Sequence, residues 1–363
     1  MRNNFKTCAR ILLYLTLILI LSGVYVFADD EGVKVVATEG QEETVTVNKD
    51  VSSKGDAVIV KAEGEGSSVE VTVNGDIESD EGHGAVVSAD EGSASLSVNG
   101  DIEADEDGID AKAYNGGSVK VDVEGDVESD EDGGIDAAAS DGGSVDITVD
   151  GDVTSEEESG LDLKVSNGGS IDVAVTGTVS GKQSGIITNA ETPGCDGDVT
   201  VTVWKIKVNE KDGKKFVALD YNGKINRKFE KTINYIIKIK DPRYISLPNL
   251  KKGKFGYTAH EGDVLLVRVD VPDGYDLDHL YWDEDKELEL IRGKDGNYYV
   301  EVPLGGGVIL SLDLDEEDDG PVVKAAYAGP ATGDKEELML WIAIMLTAFG
   351  LFIKTIKCRI ACE

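Results

Sequence analysis

The strongest constraint on the fold is an internal repeat of about 25 residues. A five-residue motif recurs along the chain: a β-branched residue, one variable residue, a glycine, usually an aspartate, and a second β-branched residue. The central glycines lie 25, 25, 26 and 26 positions apart, at Gly75, Gly100, Gly125, Gly151 and Gly177. Residues 47–51 extend the series one step earlier, with Lys49 in the glycine position. A fixed period of this length is typical of a solenoid, in which each repeat packs on its neighbours.

Within each repeat, apolar and polar residues alternate before the glycine. Val69, Val71 and Val73 share one side, and the polar residues between them share the other. Period two with β-branched residues indicates a half-buried strand. Segments such as 109–113 indicate further strands, and glycine-rich stretches such as 115–118 supply turns with positive φ. Three short strands and three turns describe one coil of a parallel β-helix, and roughly six coils stacked about 4.8 Å apart would form a rod about 30 Å long.

Charge is concentrated in the repeats. Residues 29–200 hold 43 Asp and Glu against eight Lys and no Arg, which accounts for nearly all of the formal net charge of −36. Such a field repels nucleic-acid phosphates and favours cations or basic partners. We therefore expect no nucleic-acid binding.

An acidic cluster recurs at one turn of each coil and is a candidate calcium site. Stacking would bring like charges to about 5 Å from one another, a repulsion that a bound cation or salt would relieve. Carboxylate oxygens suit calcium, but exposed acidic corners also simply keep a repetitive sheet soluble, and both interpretations stay open. The candidate ligands are Asp105, Asp107, Asp130, Asp132, Glu156 and Glu158.

The N-terminus has the organisation of a signal peptide. Arg2, Lys6 and Arg10 precede the apolar run 11–21, and small residues lead to a predicted cleavage site after Ala28. The alternative is an uncleaved membrane anchor, for which the apolar run is short.

The C-terminus carries a pentapeptide, an apolar segment over 338–353 and then a basic tail. The pentapeptide is Pro330, Ala331, Thr332, Gly333 and Asp334. This order resembles the sortase cell-wall sorting signal, with Gly329 where the usual motif has Leu. The resemblance implies that a sortase cleaves after Thr332 and joins it to peptidoglycan, which would place the protein on a Gram-positive cell wall. The alternative is a permanent membrane anchor, which also leaves the protein at the envelope.

A different composition begins near residue 201, where lysines and aromatic residues appear together. The order of Glu261-Gly262-Asp263, Gly274-Tyr275, Gly296-Asn297-Tyr298 and a final strand after Pro303 resembles divergent internalin B-repeat modules over residues 233–314. The resemblance implies a small β-sandwich or grasp-like domain. Its aromatic residues could form a carbohydrate-binding face or pack in the core, namely Tyr281, Trp282, Tyr298 and Tyr299.

The sequence thus predicts an all-β fold: a parallel β-helix followed by a small β-sandwich or grasp-like domain, with a helical signal peptide and a C-terminal apolar helix. The predicted segments are a signal peptide over 1–28, acidic β-solenoid repeats over 29–200, a β-rich surface-protein module over 201–314, an acidic linker over 315–329 and a sorting signal or membrane anchor over 330–363.

We expect no enzyme activity. His83, His260 and His279 are far apart in the chain and show no metal or triad spacing, and no long insertion walls off a cleft between coils. The favoured hypothesis is a cell-wall-anchored surface display protein, an adhesin or structural component that binds a glycan or protein. The alternatives are a secreted carbohydrate-active β-helix enzyme and a calcium-binding, self-associating surface component.

Overall fold

The computed structural model describes residues 24–26, 32–190, 197–207, 229–283, 286–287, 291–292, 297–303 and 305–316. Over these residues the chain is all-β, and its larger part is a parallel β-solenoid of about six turns with about 26 residues per turn. The solenoid strands are β1 (Val24–Val26), β2 (Val33–Thr38), β3 (Glu42–Val47), β4 (Val51–Ser53), β5 (Val58–Glu63), β6 (Ser68–Val73), β7 (Ile77–Ser79), β8 (Ala85–Asp90), β9 (Ser93–Val98), β10 (Ile102–Ala104), β11 (Ile109–Tyr114), β12 (Ser118–Val123), β13 (Val127–Ser129), β14 (Ile135–Ala139), β15 (Ser144–Val149), β16 (Val153–Ser155), β17 (Ser159–Val165), β18 (Gly169–Gly181), β19 (Ser184–Ala190), β20 (Gly197–Ile206) and β21 (Phe229–Ile239).

Each coil contributes one strand to each of three parallel walls. Wall A consists of β2, β5, β8, β11, β14, β17 and β19, with β1 antiparallel on β2. Wall B begins with β3, β6, β9, β12 and β15 and continues through the first part of β18, then β20 and β21. Wall C holds the short strands β4, β7, β10, β13 and β16 and the end of β18. The predicted three-stranded coil is confirmed.

The coils stay in register because the alternating pattern points the same positions inward in every turn. One inward column of wall B consists of Val71, Leu96, Val121, Ile147 and Val173, all with no exposed surface. A shift of one residue would turn these side chains outward, so burial of the apolar face specifies the register.

Two turn types recur, as the sequence indicated. After wall A, Asn115 and Gly116 both have positive φ, at 51° and 77°, and the pairs beginning at Asp141 and Asn167 repeat this turn. After wall B, the repeat glycine has no room for a side chain, because a Cβ on Gly125 would overlap the carbonyl oxygen of Gly100 in the preceding coil. Glycine is therefore required there for close stacking.

The remaining strands are β22 (Ile245–Ser246), β23 (Lys252–Gly253), β24 (Gly256–Ala259), β25 (Val264–Val269), β26 (Tyr275–Asp283), β27 (Lys286–Glu287), β28 (Ile291–Arg292), β29 (Tyr298–Glu301) and β30 (Ile309–Glu316). β21 pairs with β20 on the solenoid side, antiparallel with β24 and parallel with β30, while β26 pairs antiparallel with β30. A separate four-stranded sheet has the order β22-β25-β29-β28.

Wall B therefore runs past residue 200, where the sequence pattern placed the end of the repeats. β20 pairs in parallel with β18, with a register shift between Val175 and Thr178, and β21 adds another parallel strand before the chain enters the C-terminal sheets. The backbone N–H of Ile206 donates to Gly305, 2.7 Å away, and that of Gly307 donates to Trp204 at 2.8 Å. The last described coil is thus hydrogen-bonded to the segment that leads into β30.

Candidate metal-binding corner

The Gly-Asp pair that recurs in the repeats is a structural turn. Its aspartate accepts a hydrogen bond from the backbone of the next coil, as when Asp152 N–H donates to Asp126 Oδ1 at 2.7 Å and Asp126 N–H donates to Asp101 Oδ1 at 2.8 Å. The chain of bonds starts at Asp50 and ends at Thr178 N–H. These carboxylates are therefore used to join coils, and their charge is only partly offset by the N–H dipoles.

The acidic corner is the turn that leads from wall C to wall A, where the calcium prediction was made. The structure buries Asp107, half-buries Asp105 and exposes Asp130, Asp132, Glu156 and Glu158. The backbone of this turn is also tied between coils. Ser155 Oγ donates to the Asp132 carbonyl oxygen at 2.5 Å, and Asp130 N–H donates to that of Ala104 at 2.9 Å.

One column of this corner forms a continuous hydrogen-bonded ladder across successive coils. His83 N–H donates to Asp56 Oδ1 at 3.2 Å, Asp107 N–H donates to His83 Nδ1 at 3.2 Å, and Gly133 N–H donates to Asp107 Oδ1 at 3.0 Å. Each of these three side chains sits two residues before the wall A strand of its coil. The ladder thus places an imidazole between two carboxylates.

Asp107 is the most perturbed carboxyl of the corner. Its pKa is raised to about 7, mainly by burial and also by the nearby carboxylates of Asp136 and Asp110, while His83 and the Gly133 N–H oppose the rise. The desolvated carboxylate has too few compensating charges, so the neutral form persists to unusually high pH. Near neutral pH, Asp107 therefore exchanges a proton.

Beside this ladder, the outer face of wall A carries a row of aspartates. Asp110, Asp136 and Asp162 lie at matching positions of β11, β14 and β17. Lys164 Nζ lies 3.1 Å from the carboxylates of both Asp136 and Asp162. Burial lowers the pKa of Lys164, but attraction to Asp162 and Asp136 outweighs burial and raises it overall.

Part of this row has acceptors in excess of donors. Asp110 Oδ2 is 2.7 Å from Lys112 Nζ, whereas the buried atoms Asp110 Oδ1 and Asp162 Oδ1 have no hydrogen-bond partner among the described residues. Burial raises the pKa of Asp162, and Lys164 opposes that rise. The face therefore holds carboxylate oxygens that protein donors do not satisfy.

Asp56, His83 and Glu106 form the one group of three potential metal ligands among the residues the structure describes. One ligand atom of each lies within 4.8 Å of the others, and all three side chains are half-buried. The six residues of the calcium prediction are not in this group, and calcium binding by them stays a prediction.

Sequence reasoning found no partner for His83 because it compared histidines along the chain. Aligning the coils on the wall A strands would have placed Asp56, His83 and Asp107 in one column.

The aromatic residues of the C-terminal sheets are divided between two sheets. Trp282 and Tyr298 pack against the buried core, and Tyr281 Oη donates to Asp313 Oδ2 at 2.9 Å. Trp282 lies on β26, while Tyr298 and Tyr299 lie on β29, a strand of the other sheet. Their positions favour packing over a shared sugar-binding face.

The predicted cleavage site at Ala28 and the sorting pentapeptide Pro330, Ala331, Thr332, Gly333 and Asp334 lie outside the described residues. Within the described part of the chain, no helix has the length and apolar character needed to cross a membrane.

A scan against protein-family models found no match to the chain, and searches of curated proteins and of solved structures found none either.

Proposed function

We propose that this chain is an exported surface protein, attached to the cell envelope through its C-terminus, whose β-solenoid is a rigid, acidic display scaffold. It acts as an adhesin or as a structural component of the envelope. The ends of the sequence support export and attachment, through the signal-peptide pattern before Ala28 and the sorting pattern around Thr332.

The observation that carries the scaffold proposal is the nearly constant register of the coils. From Val33 to Ile206, paired wall strands follow one another at intervals of 24 to 28 residues, with one bulge between Val175 and Thr178. No described turn of the solenoid expands into a loop that could enclose a substrate. Stacked coils with a common core make a stiff, elongated surface. Many outward positions are acidic or hydroxylated, which suits display in water.

The acidity also limits the choice of partner. A scaffold of this charge would attract cations, basic protein surfaces or neutral glycans and would repel nucleic acids and acidic polymers. The ligand of the scaffold is therefore proposed to be a glycan or a protein with a basic or neutral binding surface.

The alternative of a carbohydrate-active enzyme has one observation in its favour, namely the raised pKa of Asp107 beside ionisable Asp110 and Asp136. Against it, the Asp107 side chain is only 12% exposed and one of its oxygens already accepts the Gly133 N–H. A general acid must reach the glycosidic oxygen, so the buried position favours a structural role.

The test is to locate the protein in the cells that produce it. We expect the wild type to be released by enzymatic digestion of the wall and not by detergent. Thr332→Ala should move it to the detergent-soluble fraction, because the carbonyl that a sortase attacks then belongs to the wrong residue.

Ala331→Ser changes the variable position of the same pentapeptide and serves as the matched control, with unchanged wall attachment expected. A Thr332→Ala protein that remains in the wall fraction would contradict sortase attachment. A wild-type protein found only in the cytoplasm would contradict surface display altogether.

A further inference from the structure

Three side chains from consecutive turns converge at the acidic corner, and no lysine or arginine among the described residues pairs with them. Asp56 precedes β5, His83 precedes β8 and Glu106 precedes β11, so stacking alone brings them together. Their ligand atoms lie within 4.8 Å of one another. Atoms that share one tetrahedral ion at about 2.0–2.2 Å are roughly 3.3–3.6 Å apart, so the group would contract slightly around the ion. The sequence separation of about 25 residues makes this group a product of the solenoid.

The contacts of the two carboxylates are with His83: Glu106 lies 3.2 Å from its Nε2, and Asp56 Oδ1 accepts its backbone N–H. In the described part of the chain, no lysine or arginine forms an ion pair with Asp56, His83 or Glu106. The nearest paired cation in sequence, Lys54, lies 2.9 Å from Glu81 instead. The group therefore holds two carboxylates and one imidazole, with no lysine or arginine paired to it among the described residues. On β11, three residues after Asp107, Asp110 Oδ1 is also buried without a donor among the described residues.

The imidazole is held in an orientation that suits metal binding. His83 Nε2 lies 3.2 Å from Glu106 Oε2, and Nδ1 lies 3.5 Å from Asp107 Oδ2. In the structure, Nδ1 accepts the Asp107 N–H, so the ring proton lies on Nε2, facing Glu106. A cation at Nε2 would move this proton to Nδ1, and the bond from the Asp107 N–H would be exchanged for one from Nδ1–H to the Asp107 carboxylate, 3.5 Å away. A carboxylate behind a ligating histidine is the common arrangement around protein-bound zinc.

We propose that Asp56, His83 and Glu106 bind one divalent cation of the zinc class. An imidazole nitrogen with two carboxylate oxygens suits Zn²⁺ and its first-row neighbours, whereas calcium takes six to eight ligands, all of them oxygen. Asp107 is the positioning residue for His83. The site goes beyond the scaffold function and does not depend on the mode of attachment. Its metal would link three adjacent coils.

The test uses the full chain, stripped of metal with a chelator, and Zn²⁺ itself as the probe. The thiols of Cys8, Cys195, Cys358 and Cys362 are first blocked with iodoacetamide, because thiolates also bind zinc. Equilibrium dialysis in the presence of excess Ca²⁺ and Mg²⁺ should give one Zn²⁺ per chain. Co²⁺ substitution then reports the ligand set through its visible absorption.

His83→Gln and Glu106→Gln should each weaken zinc binding by at least about tenfold. Glu106→Gln is the variant that separates binding from folding, because its half-exposed side chain takes no part in the hydrogen-bonded ladder. His260→Gln is the matched control, since His260 also lies beside an aspartate, with Nδ1 3.4 Å from Asp263 Oδ2. Its zinc affinity should equal that of the wild type.

Three results would overturn the site. The first is a wild-type protein that binds no zinc. The second is a zinc affinity that is unchanged in both His83→Gln and Glu106→Gln, and the third is displacement of zinc by equimolar Ca²⁺ or Mg²⁺. The last would show that the corner attracts cations only through its overall charge.

Discussion

Replacing the buried carboxyl of Asp107 with an amide should stabilise the protein at neutral pH. The pKa of this carboxyl is about 7 in the folded chain, raised from 3.8 by burial, so folding disfavours its ionised form. Between pH 4 and pH 7 the unfolded chain loses this proton before the folded chain does, and stability falls as pH rises. At about 1.4 kcal/mol per pKa unit, the penalty reaches at most about 4 kcal/mol above pH 7.

Asp107→Asn removes that penalty and keeps the acceptor for the Gly133 N–H, which is 3.0 Å away in the wild type. We expect the variant to exceed the wild type in unfolding free energy by about 1.5–2 kcal/mol at pH 5 and about 4 kcal/mol at pH 8. Below pH 4 the difference should vanish, because both side chains are then neutral. The Asp107 carboxyl is influenced by the carboxylates of Asp110 and Asp136 and by the ring of His83, and the size of its pKa shift depends on all three.

The measurement is urea unfolding followed by circular dichroism at pH 5, 6, 7 and 8 with a chelator present. Asp130→Asn, an exposed acid of the same corner, is the control for a simple reduction of net charge and should change stability by less than about 0.5 kcal/mol. An Asp107→Asn variant that is no more stable than the wild type at pH 8 would contradict a buried carboxyl with a raised pKa. A gain in stability that is the same at pH 5 as at pH 8 would contradict it too.

Three further substitutions test how the coils are joined, each by the same urea assay. Gly125→Ala should lower the free energy of unfolding by about 2 kcal/mol or more, because the added Cβ meets the backbone of the preceding coil. Gly55→Ala is the control: no atom lies within 4 Å of its added carbon, so its loss should be less than half as large. Asp126→Ala should cost about 1 kcal/mol by leaving the Asp152 N–H without its acceptor, and Asp126→Asn, which retains an acceptor oxygen, should cost less. Lys164→Met should lower the free energy of unfolding by about 1–3 kcal/mol. Most of that loss should disappear when Asp162 is also changed to Asn. Equal losses with and without the Asp162 change would mean that the ion pair contributes little.

Much of the solenoid could be predicted from local pattern. The alternation around Val71 encodes both a strand and its inward side, and a motif that recurs with its glycine at 25-residue spacing encodes equal coils. The positive φ of Gly116 follows from an Asn-Gly-Gly turn. These features depend on neighbouring residues, which is why one sequence suffices for them.

The end of the parallel stack is different, since it depends on long-range pairing. Composition changes near residue 201, yet β20 and β21 continue wall B and join it to β24 and β30. A strand with mixed composition can pair on either edge, and only its partners across the sheet decide which sheet it belongs to.

The chemistry of the acidic corner was likewise decided by the tertiary structure. Local sequence predicted that acidic residues recur there, and it predicted candidate calcium ligands among them. The stacking of the turns of successive coils decides which carboxyls are buried, such as that of Asp107. It also decides which side chains meet, such as those of Asp56, His83 and Glu106. Burial and proximity are properties of the assembled coils, because residues about 25 positions apart become neighbours only when strands pair about 4.8 Å apart.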